Sequence, residues 1–93
     1  MSGKILNGVD VDAVVGLVKA VNEKPTLAKS KFRANNEWIE GGYNRTTITG
    51  FYGAGQEVSH AEPFALVADE PPILAGKDQA ANPAEHLLNA LTT

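Results

Sequence analysis

The sequence contains no cysteine among its 93 residues. Disulfide bonds and thiolate metal sites are therefore excluded within this chain, and no thiol chemistry can take place in it. Long apolar runs are also absent, and the first residues, MSGKILNGVD, lack the hydrophobic stretch of a secretory signal. We therefore expect a cytoplasmic protein that does not cross a membrane.

An excess of positive charge is also absent. The formal net charge is -3, and the basic residues are mostly scattered, so no positive surface for nucleic acid is expected. The one cluster, from Lys29 to Arg33, is interpreted as the solvated face of a strand. With 43% hydrophobic residues, the composition is that of a folded domain and not of a disordered segment. A chain this short leaves much of its surface in water when it folds alone, so a second copy would help it bury apolar side chains.

An apolar stripe at helical spacing occupies the first quarter of the chain. Valines recur from Val11 to Val21, and Asp10 precedes them as a side chain that can accept hydrogen bonds from the free first-turn amides. The pair Lys24-Pro25 ends the pattern, because the residue before a proline is pushed out of helical geometry. The pattern predicts an amino-terminal helix over residues 10–24.

Alternating side chains follow this helix. Over residues 29–37 charged and polar residues alternate with a second set that includes Phe32 and continues to Trp38, which predicts a strand with one solvated face. Gly41 and Gly42 tolerate positive φ, and the β-rich segment of residues 43–52 comes next, so we expect an antiparallel hairpin.

A short apolar run, residues 64–68, predicts a third and mostly buried strand between Pro63 and a proline-rich connection. Antiparallel strands are thus expected over residues 28–69. No internal repeat or linker divides the chain. The predicted fold class is α+β, in a single domain over residues 1–93, with the amino-terminal helix, a three-stranded sheet and the start of a second helix.

The second helix has a well-marked beginning. Asn82 can cap it, Pro83 suits the first helical position, and Glu85 stands where a capping box requires a carboxylate. Leucines then form an apolar stripe that needs a partner surface: Leu87, Leu88 and Leu91. No stop signal precedes Thr93, so we expect residues 82–93 to be the first turns of a longer helix.

Residues 76–93 resemble the signature of the OsmC/Ohr family of thiol-dependent hydroperoxide reductases. Both have a glycine-containing loop, then an Asn-Pro or Ser-Pro pair, then a helix rich in leucine and alanine. Residues 38–45 are similar to the first hairpin of that family, which carries an arginine near its turn. The resemblance covers about residues 28–93 and implies an intertwined homodimer, in which sheets from both subunits surround two central helices and the sites lie at the subunit interface.

The resemblance also implies a site. It places the reactive cysteine at the first position beyond Thr93 and the catalytic arginine at Arg45. A guanidinium beside a thiolate lowers the pKa of the thiol and donates hydrogen bonds to the peroxide. The family's hydroperoxide reductases place a glutamate directly after the Asn-Pro or Ser-Pro pair to orient the arginine, and this sequence has Ala84 there. Glu85, at about 100° per residue, lies roughly opposite the cysteine position, so we interpret it as a capping residue.

Two functions remain open from the sequence. In the first, the whole protein is a peroxidase that reduces organic hydroperoxides in defence against oxidative stress, and a second cysteine resolves the sulfenic acid. In the second, which Ala84 favours, it is a non-catalytic module that binds a small apolar ligand or serves in assembly. The expected partners are a second copy of the chain and a small apolar peroxide, without nucleic acid or membrane. We expect no cofactor and no metal, since His60 and His86 are two distant histidines without cysteine.

Overall fold

A computed structural model describes residues 4–93. Within that range the chain forms two α-helices and six strands. In chain order these are β1 (Ile5–Leu6), β2 (Val9–Asp10), α1 (Val11–Glu23), β3 (Lys31–Phe32), β4 (Asn35–Glu40), β5 (Tyr43–Gly53), β6 (Gln56–Ala68) and α2 (Pro83–Thr92). Short 3-10 helices occupy Pro25–Ala28 and Pro72–Leu74. The predicted α+β class is confirmed.

The contacts of the chain group it into two compact units. One is the described part of Met1–Phe32 together with Phe51–Val58, and the other is Arg33–Gly50 together with Ser59–Thr93. The single domain expected from the sequence stays a prediction.

Helix α1 occupies Val11–Glu23, one residue inside each end of the predicted range 10–24. In α1 the carboxylate of Asp10 accepts a hydrogen bond from the Ala13 amide at 3.1 Å, and the helix ends at Glu23, just before Lys24-Pro25. Helix α2 begins at Pro83 after the Asn82 cap. Both beginnings follow from side chains that satisfy first-turn amides which have no partner within the helix.

The main sheet is organised around β5. Strand β4 pairs with it antiparallel, and the register places Glu37 opposite Arg45. Strand β3 also pairs antiparallel with β5, through Lys31 and Phe32, and β6 pairs with β5 as well. The sheet therefore has four strands, where the sequence predicts three.

The first predicted strand, residues 29–37, is divided in two. Phe32 pairs with Phe51, and Asn35 pairs with Thr47. The step of three residues from 32 to 35 therefore lies opposite a step of four residues on β5, from 51 to 47. One extra residue on one strand disrupts the ladder locally. Pairing accordingly stops at residues 33–34, and the predicted strand becomes β3 and β4.

The last strand, β6, is longer and more exposed than the prediction for residues 64–68. It begins at Gln56, directly after the turn residues Ala54 and Gly55, which have φ of 52° and 79°. Two positive φ values are typical of the two-residue turns that match the twist of a hairpin. Burial is confined to the carboxyl end of β6, where Ala68 is 8% exposed, so the expectation of a mostly buried strand is wrong.

Apolar side chains remain largely exposed in the single chain. Phe32 and Trp38 are 77% and 71% exposed, so the buried strand face expected for them does not form. The leucines of α2 are 58–73% exposed: Leu87, Leu88 and Leu91. The predicted stripe is therefore present on α2, but the chain itself does not cover it. Neither helix within residues 4–93 is long and apolar enough to cross a membrane.

Candidate functional site

The amino-terminal end of α2 is held by a reciprocal cap. The Glu85 amide donates to Asn82 Oδ1 at 2.8 Å, and the Asn82 amide donates to Glu85 Oε1 at 3.0 Å. The predicted capping box is therefore confirmed. The Glu85 carboxylate is engaged by the helix terminus, and Ala84 beside it offers only a methyl group.

The loop that leads to this cap closes on a buried carboxylate. Asp69 is 2% exposed and accepts hydrogen bonds from the Glu70 amide at 2.7 Å and from the Gln79 amide at 3.1 Å. The Gln79 amide is the main cause that holds the pKa of Asp69 below its ordinary value, against the opposing effect of burial. The Asp69 amide in turn donates to the Ala81 carbonyl at 3.2 Å. Asp69 is thus hydrogen-bonded to both ends of the loop, and these bonds place Asn82 at the beginning of the helix.

Gly76 lies at the tightest point of the same loop. A β-carbon at this position would overlap the carbonyl of Glu70. That carbonyl also accepts a hydrogen bond from the Asp78 amide at 3.1 Å, which keeps it in place. The loop glycine that contributes to the family resemblance therefore has a steric cause in this chain.

One face of the β4–β5 hairpin, which we call the helix-side face, carries Asn36, Asn44 and Thr46. The side-chain amide of Asn36 donates through Nδ2 to Asn44 Oδ1 at 2.8 Å and to Thr46 Oγ1 at 3.0 Å. A cleft of about 290 Å³ lies next to them, lined by Asn44, Thr46, Leu66, Ala68, Pro83 and His86. The helix-side face is therefore directed towards the first turns of α2.

His86 anchors α2 to the sheet. Its Nε2 lies 2.8 Å from the Val67 carbonyl oxygen, and since a carbonyl only accepts, Nε2 carries the proton and donates. The other histidine, His60, has its ring 4.6 Å from the ring of Phe64. Across residues 4–93 no group of three or more His, Asp or Glu side chains is placed to share a metal ion.

The opposite face of the hairpin, the open face, carries the candidate catalytic residue. Side chains alternate along a strand, so Arg45, between Asn44 and Thr46, points away from the helix-side face. Its Nη2 donates to Glu37 Oε1 at 2.6 Å, and the two side chains are 47% and 65% exposed. Arg45 is therefore accessible from solvent, while the sheet separates it from α2 of its own chain.

Sequence reasoning did not connect Glu37 with Arg45, because the hairpin contains a register shift. Glu40 pairs with Tyr43, and an unbroken ladder from that pair would place Trp38 opposite Arg45. The irregularity between Trp38 and Glu40 moves the register by one residue and brings Glu37 there instead. The opposite charges of Glu37 and Arg45 on adjacent strands were the available signal for this ion pair. Their direct pairing, however, depends on the register shift, which the sequence does not reveal.

The sequence was also compared with known proteins. No protein-family model matches it, and no curated protein matches it. Function is therefore inferred from the residues of the site and from the resemblance of residues 28–93.

Proposed function

We propose that this chain provides the arginine-bearing hairpin and the start of the central helix of an OsmC/Ohr-type peroxidase that reduces organic hydroperoxides. The supporting observation is Arg45, which is held by one carboxylate yet remains 47% exposed on the open face. A guanidinium has five N–H donors, so donors are left for a thiolate and a peroxide.

The reaction uses a thiol that the resemblance places directly after Thr93. The thiolate sulfur attacks one peroxide oxygen, the O–O bond breaks, and the leaving alkoxide takes up a proton to become an alcohol. The sulfur becomes a sulfenic acid, which a second thiol condenses to a disulfide with loss of water. Arg45 would favour the thiolate before attack and hydrogen-bond the oxygen on which charge develops.

The geometry favours a site formed by two copies of the chain. Helix α2 adjoins the helix-side face of the hairpin, through Pro83 and His86, whereas Arg45 projects from the open face. A thiol on the continuation of α2 would therefore meet the arginine of a second copy. The exposed leucines of α2 provide apolar surface for that association.

The proposal is tested in a protein that extends beyond Thr93 and carries the thiol. Arg45→Ala should raise the thiol pKa and lower turnover of an organic hydroperoxide by roughly a hundredfold, the effect of losing one donor to a developing oxyanion. The matched control is Arg33→Ala, two residues before β4, which should leave both quantities unchanged. An unchanged thiol pKa and turnover in Arg45→Ala would contradict the proposal.

A mixing experiment tests whether two copies share the site. One protein carries Arg45→Ala, and the other keeps Arg45 but has serine in place of the thiol residue. In a shared site, random exchange of subunits should restore about a quarter of the original activity, since half of the dimers are mixed and each has one complete site. A site within one chain would give no recovery.

A second candidate function is the binding of a small uncharged molecule in the cleft beside α2. Its six lining residues carry no acidic or basic side chain other than the imidazole of His86, and they include the hydroxyl of Thr46. A volume of about 290 Å³ is close to the smallest that small-molecule sites have. Benzyl alcohol should then shift the NMR signals of the His86 ring, and Thr46→Val should weaken the effect. No shift at millimolar ligand would exclude this function.

A further inference from the structure

The first turn of α2 has no free carboxylate for Arg45. Ala84 stands at the position where the resemblance calls for a glutamate, and the neighbouring Glu85 is engaged by the Asn82 amide at 3.0 Å. Moving Glu85 to an arginine would break the capping box. An arginine that acts in the proposed reaction therefore needs a carboxylate from another element.

Strand β4 provides that carboxylate. Glu37 Oε1 lies 2.6 Å from Arg45 Nη2, within the short range of charge-assisted hydrogen bonds. The contact is built into the sheet, because Glu37 and Arg45 are direct partners in the ladder. Directly opposite residues on one face keep their side chains close without any rearrangement of the backbone.

The contact has little value for folding. With side chains that are 65% and 47% exposed, an ion pair of this kind contributes little to stability, because solvent screens it and two long side chains lose freedom. The same loss of freedom is useful if the guanidinium has to meet a reacting group in one orientation.

We infer that Glu37 is a positioning residue for Arg45, taking the part of the glutamate that Ala84 replaces. This inference rests on the proposed peroxidase function. Glu37 acts through the guanidinium and touches neither thiol nor peroxide. Its negative charge also opposes thiolate formation nearby, so orientation and thiol pKa should respond in opposite senses when Glu37 is changed.

Two substitutions separate these effects in the protein that carries the thiol. Glu37→Ala removes both the acceptor and the charge, so kcat should fall about tenfold while the thiol pKa also falls. Glu37→Gln keeps an acceptor oxygen and removes only the charge, so the thiol pKa should fall with a smaller loss of kcat. A purely structural role would leave the thiol pKa unchanged in both variants.

The control is Glu40→Ala in the same strand. Glu40 is similarly exposed and lies 3.8 Å from Lys77 instead of an arginine, so its removal should change neither kcat nor the thiol pKa. In a site shared by two copies, the new carboxylate of Ala84→Glu would come from the α2 of the second copy. It should restore part of the turnover that Glu37→Ala loses, and should add little to a protein that still has Glu37. The NMR signal of the Arg45 Nε–H should broaden in Glu37→Ala and not in Glu40→Ala.

The outcomes distinguish the inference from the function on which it rests. Unchanged kcat and thiol pKa in Glu37→Ala, with turnover still lost in Arg45→Ala, would overturn the positioning role alone. If neither substitution affects turnover, Arg45 lies outside the site and both the function and the role of Glu37 are overturned.

Discussion

The two faces of the β4–β5 hairpin differ in the interactions that their side chains make. The helix-side face is a network of uncharged groups, with Asn36 bonded to Asn44 and Thr46, and it adjoins α2. The open face carries the ion pair of Glu37 and Arg45, in contact with water. Neighbouring residues on one strand thus have separate tasks: the helix-side face seats the helix, and the open face presents a charge. Substitutions in the loop that seats α2 should therefore change stability, whereas substitutions on the open face should change chemistry.

The largest loss of stability is expected from Gly76→Ala. The new β-carbon would collide with the Glu70 carbonyl, so the loop that delivers α2 to the hairpin must shift. Overpacking of this kind lowers the unfolding free energy by about 1–3 kcal/mol. Urea unfolding of the variant and of the original protein would measure the difference.

A matched glycine serves as the control. Gly16 lies within α1 with open space around it, and Gly16→Ala should raise stability by about 0.5–1 kcal/mol, the helix preference of alanine over glycine. Equal effects of the two substitutions would contradict the steric explanation for Gly76.

A smaller loss, about 1 kcal/mol, is expected from Asn82→Ala, which removes the acceptor for the Glu85 amide. Asn89→Ala in the exposed middle of the same helix should have almost no effect, and thermal unfolding followed by circular dichroism compares the two. If the two variants melt alike, the cap does not determine how α2 begins.

The next effect depends on pH through Asp69. Its pKa is lowered in the folded state, so its contribution to stability is present above the ordinary aspartate pKa and is lost as pH falls through the lowered value. Asp69→Asn should therefore flatten the fall of unfolding free energy below about pH 4. An unchanged acid profile in the variant would assign the acid sensitivity to other carboxylates.

The smallest effect on stability is expected on the open face. Glu37→Ala should change the unfolding free energy by no more than about 1 kcal/mol, as is usual for exposed ion pairs. A larger loss would mean that the open face also holds the hairpin together, and the contrast between the two faces would fail.

The helices and the hairpin were predictable because their signals are local. Asp10 and Asn82 cap α1 and α2 as expected, and Gly41-Gly42 turns β4 into β5. The start of β6 was not predictable from these rules, since Ala54 occupies a turn position with φ of 52° where asparagine or glycine is more usual.

Sequence reasoning predicted only part of the candidate site. Arg45 followed from the resemblance, but its partner Glu37 depends on a register shift that no periodicity reveals. Asp69 was hidden for a related reason. It precedes Glu-Pro-Pro and is typical of a surface turn by sequence. In the structure it is buried and accepts a hydrogen bond from the Gln79 amide, ten residues further along the chain.

Trp38 has a consequence for experiments on this protein. It is the sole tryptophan in the sequence, its indole N–H donates to the Gly41 carbonyl at 2.8 Å, and its ring is 71% exposed. The hydrogen bond fixes the ring at the hairpin turn, so the protein contains a single built-in fluorophore at one known place. Covering of that ring by a second copy would move its emission to shorter wavelengths, and dilution would move it back. A spectrum recorded over a range of concentrations would therefore report assembly without a label.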